Sequence, residues 1–544
     1  MRFTLRLGWT LVLCVAAFLP TTARAQATSS LTAPHVKLDE LLKRATSYES
    51  RHLWQQAADV YERAIRFYPD ETSLRSRWRK AEQLYSLSRR YHDISYREEL
   101  LTLGRERSLD LYREILSKVK SHYVDEVDLG DLVELGYTNL RVALAQPIFV
   151  EANFREGQRD NAKRLIEEFS RKRPLNIHSL DDAVAEVRAV SDRCRMWGMN
   201  RPVSVVMEFV SAASEGLDPY SAHLTPNRLR DLYAMIDGNF VGLGIEVKGC
   251  DEGLRIVSVL ADSPAEEAGL KDGDTILVVD DERLAGRSAE EAANFLQGPK
   301  GSRVRLSVRD GAGQRRDLLV ARREVIVHSV TNITMLDRQS GVGYVRLVSF
   351  QKLTATELDK AIADLRQSGM RSLVLDLRGN PGGLLDVAVS VANRFIDRGT
   401  LVTTRGRAWG QSWSHRARPG KTWDFPLVIL IDGDSASASE ILAGAIKDHQ
   451  RGTIVGTRSY GKGSVQSIFP LRTVPTGLRL TTARFYSPQG EAFEQVGVDP
   501  DRIVYRDNDQ LGDQIPVPRE PTLTADAQLR AAHSLLAGSL SASR

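Results

Sequence analysis

Apolar and polar positions change their period along the 544 residues, and each change marks a different kind of element. From Val36 to His92, and again over residues 100 to 235, apolar residues recur every three or four positions, the period of helices that bury one face. The basic run Arg75, Arg77, Arg79, Lys80, Arg89 and Arg90 spreads round such a helix and reads as a solvated face, as does the charged stretch Arg155 to Lys172. From Gly238 to Glu324 the pattern becomes short alternating runs broken by glycines, the sign of strands and turns, with one helical stretch over Ser288 to Leu296. Beyond it, apolar runs at 343–348, 372–377, 427–431 and 453–455 alternate with helical patterns at 354–367 and 384–395. Strand and helix in alternation imply a mainly parallel sheet covered by helices. Residues 526–540 read as an amphipathic C-terminal helix.

Within the first helices, Leu41, Ala45 and Tyr48, followed by Ala57, Tyr61, Ala64 and Pro69, have offsets that resemble a single tetratricopeptide unit. One such unit cannot bury its own face, so it packs on neighbouring helices or docks a partner such as an adaptor. Ahead of it, Arg2 and Arg6 precede an apolar run at 11–19, then Pro20 and Ala23-Arg24-Ala25. That run is too short to span a bilayer, and small residues before Gln26 suit signal peptidase, so residues 1–25 are expected to be a signal peptide on an exported, periplasmic or extracytoplasmic protein. No other stretch reaches membrane-spanning length. Removal of Arg2, Arg6 and Arg24 would lower the formal charge from +4 to +1, a balance that gives no electrostatic case for nucleic acid. Cys194 and Cys250 would remain, too few for a disulfide framework, and both read as buried thiols.

Chemistry concentrates in Pro426 to Gln466. The apolar run Leu427 to Ile431 breaks at Asp432-Gly-Asp434 and gives way to Ser435-Ala-Ser-Ala-Ser-Glu440 and an Ala-rich helical pattern. Serines at a strand-to-helix turn sit beside unpaired backbone N–H groups and the positive helix end, where an oxyanion can be stabilised next to a nucleophile. Further on, Lys462 lies between two glycines ahead of a strand-like run, so it can be aimed inward from a strand edge. Taken singly, such a serine is usually an N-cap and such a lysine a loop charge. Two rival chemistries fail on the letters. Gly456 to Lys462 nearly spells a phosphate-binding loop, but Gly463 stands where the Mg²⁺-binding hydroxyl belongs and a strand pattern follows where a helix is needed. His449 would lie about 18 Å from Ser437 along the same helix and cannot serve as its base.

The whole segment resembles the carboxyl-terminal processing peptidases, or tail-specific proteases, in SASASEILAGAIKD (435–448), VGTRSYGKGSVQ (455–466), LTTARFYSPQG (480–490) and the RxNPGG loop at Arg378 to Gly383. Leu217-Asp-Pro-Tyr-Ser-Ala-His-Leu224 is similar to a segment that precedes the PDZ domain in that family, with His223 in place of tyrosine. The resemblance implies Ser437 as nucleophile, Lys462 as base, Gln466 beside it as orienting group, and an oxyanion site from the N–H groups of Gly383 (or Gly382) and Ala438. Asp376 lies at the same strand edge outside the family's dyad. Asp432 and Asp434 stand where the family more often has uncharged residues, and negative charge facing the lysine would oppose its role as base. Val241-Gly242-Leu243-Gly244-Ile245 resembles the carboxylate-binding loop of PDZ domains, and 263–270 and 272–277 match the segments that follow. Converging N–H groups there would hold a terminal carboxylate while the next strand adds a peptide at its edge.

The expectation is a multi-domain α+β protein. A signal peptide (1–25) precedes a helical, tetratricopeptide-like region (26–235), a PDZ domain (238–324), a crotonase-like α/β peptidase core (325–505) and a tail (506–544). By resemblance it would be an endopeptidase acting on proteins with apolar C-termini, without metal or other cofactor. The alternative is a non-enzymatic scaffold that binds protein tails through its PDZ and helical elements.

Overall fold

The computed structural model describes residues 11–13, 37–68, 70–171, 174–287, 289–420, 422–506 and 521–542. The signal-peptide assignment therefore lies outside the described residues except for Leu11–Leu13, and Pro69 lies outside them too.

Helices Leu38–Ser50 and Trp54–Phe67 form a hairpin that buries Leu41, Ala45, Ala57, Tyr61 and Ala64 against Leu74, Trp78 and Ala81 of helix Thr72–His92. The small residues at the crossing allow this close approach. The reading of the basic run as a solvated face needs correction. Arg90 is buried, and its guanidinium meets Glu208 at 2.7 Å and Glu215 at 3.4 Å on helix Val203–Glu215. A buried cation persists when acids from another helix compensate it.

Helices from Arg105 to Glu215 share one apolar core with Phe469, Leu471, Val474, Leu478 and Leu480, which belong to the hairpin of strands Ser464–Pro470 and Gly477–Tyr486. Polar contacts strengthen the junction: Glu114 accepts from the N–H groups of Arg472 and Thr473, and Arg484 makes a two-pronged pair with Asp125. The helical region is thus built onto the β-hairpin that follows Lys462.

The PDZ sheet runs Ile245–Cys250, Gly253–Val259, Thr275–Val279, Arg303–Arg309, Arg315–Ala321, with its own apolar core. Strands Asn239–Gly242 and Arg323–Ile326 pair antiparallel where the chain enters and leaves it. Helix Ala289–Asn294 packs on strand Ile245–Cys250.

The core sheet has the order Val330–Asp337, Val342–Leu347, Ser372–Asp376, Leu427–Ile431, Thr453–Gly456, Arg502–Ile503, parallel after its first antiparallel pair. Both faces of the inner strands are covered, which is why Ser372–Asp376 and Leu427–Ile431 are buried throughout and largely apolar. Leu373, Leu375, Ile429 and Ile431 face helices Thr354–Gln367, Leu385–Ala392 and Ala438–Asp448, whereas Val374, Val428 and Leu430 face Leu529, Ala532 and Leu536 of the C-terminal helix Ala527–Ala542. A second, antiparallel sheet runs Leu11–Leu13, Ser464–Pro470, Gly477–Tyr486, Thr400–Gly406, Trp413–Arg416, with Ala222–Leu224 pairing on Gly477 to Arg479. Cys194 is buried as expected, but Cys250 is only half-buried because it ends an edge strand. No described helix is long and apolar enough to cross a membrane.

Candidate active site

Strand Leu427–Ile431 ends the core sheet's apolar run, and the chain turns through Asp432 to Ala436 before helix Ala438–Asp448 begins. Ser437 stands at the helix start with φ 59° and ψ −113°, a region in which a non-glycine residue is strained by about 1–3 kcal/mol. Its Oγ is buried and has no hydrogen-bond partner among the described residues. A hydroxyl that merely capped the helix would be bonded to the N–H two or three residues on.

The strain is held from both sides. Asp432 Oδ1 accepts from the N–H groups of Gly379, Asp434 and Ser435, while its Oδ2 meets the Arg506 guanidinium at 2.7 Å. Its charge is thus spent on fixing two loops to each other, which answers the concern that it would oppose the lysine. Ser435 Oγ donates to Leu377 O at 2.8 Å and Ser439 Oγ to Asn380 O at 2.9 Å, tying the serine turn to the loop that begins at Arg378.

That loop is itself braced. Arg378 is buried and pairs with Asp376 at 2.6 Å, with Asp526 at 2.8 Å and with Gln528 Oε1 at 2.9 Å. Burial pushes the Asp376 carboxyl up, but the guanidinium outweighs it and leaves the group below its ordinary range. Asp376 also accepts from Tyr344 Oη, so it is committed to structure. Gly382 sits where a Cβ would come within 2.8 Å of Ser437 Cβ, and a Cβ on Gly383 would strike Phe350 O at 2.1 Å. The Gly382 N–H donates to Asn380 Oδ1, whereas those of Gly383 and Ala438 donate no hydrogen bond among the described residues.

Lys462 is 1% exposed, with its Nζ 4.5 Å from the centre of the Tyr220 ring. The flanking glycines make this burial possible: a Cβ on Gly463 would meet Glu494 N at 2.3 Å, and Gly461 has φ +91° with residues 495–497 packed against it. Gln466, predicted to orient the lysine, turns its Nε2 to Ser464 Oγ at 3.0 Å and Thr481 Oγ1 at 3.4 Å, and its buried Oε1 has no hydrogen-bond partner. Of the predicted carboxylate-binding loop, Val241 and Gly242 end strand Asn239–Gly242, Leu243 packs in the PDZ core and Ile245 opens strand Ile245–Cys250.

Glu440 joins the two halves of the site. One oxygen accepts from the backbone N–H of Ser437 (2.7 Å) and of Lys462 (2.9 Å), and the other from Ser459 Oγ (2.6 Å) and the Gly461 N–H (2.6 Å). Burial raises its carboxyl to about 7 against the pull of these bonds. Sequence reasoning assigned Glu440 no role, although a serine followed three residues later by glutamate at a helix start is a capping signature. His223 is buried in strand Ala222–Leu224 with Nε2 unpartnered, and burial lowers it to about 4. Among the described residues no His, Cys, Asp and Glu group is arranged to hold a metal ion.

Residues 341–504 match peptidase family S41 and residues 255–310 match the PDZ domain family. A carboxy-terminal-processing protease of Bartonella bacilliformis is 40% identical over 294 residues, 53% of this chain and 67% of that protein. A carboxyl-terminal-processing protease of Synechocystis sp. is 34% identical over 348 residues, 62% of this chain and 79% of the relative. Among solved structures, a photosystem II D1 C-terminal processing protease is 26% identical with a TM-score of 0.42, covering 79% of this chain and 98% of its own. Identity of this degree over two thirds or more of the relatives' length places the chain in the carboxyl-terminal processing protease family, the serine peptidases of family S41.

Proposed function

We propose that the chain is an exported endopeptidase that hydrolyses peptide bonds through Ser437 and Lys462 and selects proteins by their C-terminal tails. The observation that carries this reading is Glu440, which binds the backbone N–H groups of both residues while leaving the Ser437 hydroxyl unbonded. A serine held strained, buried and uncommitted is poised for attack rather than for capping. Lys462, as the neutral amine, takes the Oγ proton as Oγ bonds to the peptide carbonyl carbon. The resulting oxyanion accepts from the N–H groups of Gly383 and Ala438. On collapse the C–N bond breaks and the lysine ammonium gives its proton to the leaving amine. Water, losing its proton to the same lysine, then releases the acyl group. The Tyr220 ring face offers a favourable seat for the ammonium that forms in each half. Gln466 would orient that ammonium through Oε1, which has no hydrogen-bond partner among the described residues.

An extended substrate can be held by strand addition. The chain's own Leu11–Leu13 pairs antiparallel with Gln466 to Ile468, on the outer edge of the strand that starts two residues after the lysine. Tail selection rests on the Val241 to Ile245 loop, where Gly244 has φ +81°, and on strand Ile245–Cys250, an edge of the PDZ sheet. The core is taken as crotonase-like, and the hairpin Leu38 to Phe67 as a tetratricopeptide-like unit on which an adaptor can dock. Incubation of the purified chain with an unfolded protein ending in apolar residues tests the reading: progressive cleavage is expected, and Ser437→Ala should abolish it. Equal, slow loss of substrate with both proteins would contradict it.

A further inference from the structure

A cavity of about 910 Å³, with Tyr220 in its wall, lies between helix Thr72–His92, helix Leu129–Leu144 and the hairpin that carries Ser464 and Thr481. We propose that this cavity is a chamber for a carboxylate of the bound peptide, with Arg479 and Arg89 as the groups that receive it. The inference rests on the peptidase reading for its ligand and names a feature of its substrates.

Arg479 is 6% exposed, lines the cavity and forms no ion pair among the described residues. Its Nε donates to Tyr220 O at 2.7 Å, and its two terminal nitrogens have no hydrogen-bond partner among the described residues. Burying a guanidinium is costly, and here burial, followed by the positive charge of Arg89, lowers it to about 10 against the pull of Asp218 and Glu215. Arg89 lines the same cavity, stacks over Tyr85 at 5.1 Å and has a buried Nε without a partner. Two cations that repel each other across a cavity, each with donors to spare, are arranged for an anion between them.

Most acids of the cavity are bonded to other groups, and Asp59, which also lines it, is raised by burial to about 6. Arg90 pairs with one oxygen of Glu208 and one of Glu215, and the other Glu208 oxygen is buried without a hydrogen-bond partner among the described residues. Asp218 accepts from the N–H groups of Tyr220 and Ser221 and from Ser221 Oγ, and Glu494 accepts from the Gly463 N–H. Glu82 is raised by burial to about 8, so it is largely protonated at pH 7. Arg484, also in the lining, is paired with Asp125. None of these acids meets the terminal nitrogens of Arg479 by a hydrogen bond among the described residues, so those donors remain open to a ligand in the cavity. Its place fits a peptide lying at the active site, because Tyr220 forms part of its wall and also underlies Lys462. Arg479 and Thr481 alternate along one face of their strand, and Thr481 contacts Gln466.

The test measures binding of fluorescently labelled extended peptides to the full chain carrying Ser437→Ala, by anisotropy, so that it does not depend on cleavage. Three peptides are compared: one with an internal glutamate and a free C-terminus, its glutamine counterpart and its C-terminal amide. Loss of the relevant carboxylate should weaken binding about tenfold, the range for a charge-assisted contact to arginine. In Arg479→Met that ratio should fall about tenfold relative to the parent protein, while Arg479→Lys should keep much of it. If the glutamate-to-glutamine ratio collapses, the chamber reads an acidic side chain; if the acid-to-amide ratio collapses, it reads the peptide terminus. A carboxylate held by the PDZ loop adds equally to the parent and to Arg479→Met and cancels in the comparison. Arg89→Met supplies the same reading should Arg479→Met fold poorly. Ratios unchanged from the parent in both variants would overturn the proposal. Absence of cleavage by the unsubstituted chain would instead count against the peptidase reading and leave these ratios measurable.

Discussion

The Glu440 carboxylate holds the backbone N–H of Ser437 at 2.7 Å, and through this bond the strained conformation of the serine is tied to the turn that carries the lysine. Glutamine at this position has one acceptor oxygen for four donors, and its amide would face N–H groups it cannot accept from. Glu440→Gln is expected to lose on the order of 2–4 kcal/mol of stability near pH 5 and at least tenfold in kcat. Its pH behaviour has a definite sign. The folded carboxyl titrates at about 7 against the ordinary 4.5, so the wild type binds the extra proton in the folded state. Stability from that proton is complete below about 4.5 and is lost as pH rises to 7. Denaturant melts at pH 4.5, 6 and 7.5 should show the gap between the wild type and Glu440→Gln narrowing as pH rises; a constant gap would contradict this account.

The C-terminal tail lies beyond the residues that match family S41, yet Arg506, Asp526 and Gln528 from it satisfy Asp432 and Arg378 under the two active-site loops. Asp526→Ala leaves a buried guanidinium with reduced compensation, and the proposed oxyanion site, carried on a loosened loop, would lose transition-state binding. We expect kcat to fall about tenfold or more with KM changed less than threefold, and Asp526→Asn to be milder. A wild-type kcat in Asp526→Ala, measured on an internally quenched peptide, would show that the tail does not brace the loop.

Amidation of a good substrate's C-terminus, or addition of one charged residue to it, should weaken recognition at the PDZ loop by about tenfold. The check is kcat/KM below saturation for matched free and amidated substrates. Equal values would leave the PDZ unit in place without this task.

What the sequence made legible is what lies close together in it. Ser437 at a strand-to-helix turn and Lys462 between glycines are local patterns, and the structure explains the glycines directly, since any side chain at 463 would collide with Glu494. What was not legible depends on residues far apart. Asp526 is 148 positions from Arg378, and Glu208 is 118 from Arg90, so nothing in a helical periodicity could reveal that the tail braces an active-site loop or that one arginine of a basic run is buried. Gln466 shows the limit from the other side: nearness to the lysine in sequence did not decide where its amide points, because Ser464 and Thr481 compete for it. Asp432 could be flagged by its charge, but only folding shows that charge consumed by three N–H groups and Arg506.

The central claim is that Lys462 is the base for Ser437, and substitution of Lys462 by arginine tests it most directly. Arginine keeps the positive charge and nearly the length, but a guanidinium cannot give up its proton in a protein and so cannot accept one from Oγ. Steady-state cleavage of a quenched peptide by wild type, Ser437→Ala, Lys462→Arg and Lys462→Ala, with folding checked by thermal melts, is the measurement. The account predicts that all three variants remain folded and fall together to the background rate, at least 10³-fold below wild type. Substantial activity in Lys462→Arg, or in folded Lys462→Ala, would contradict it and require another base.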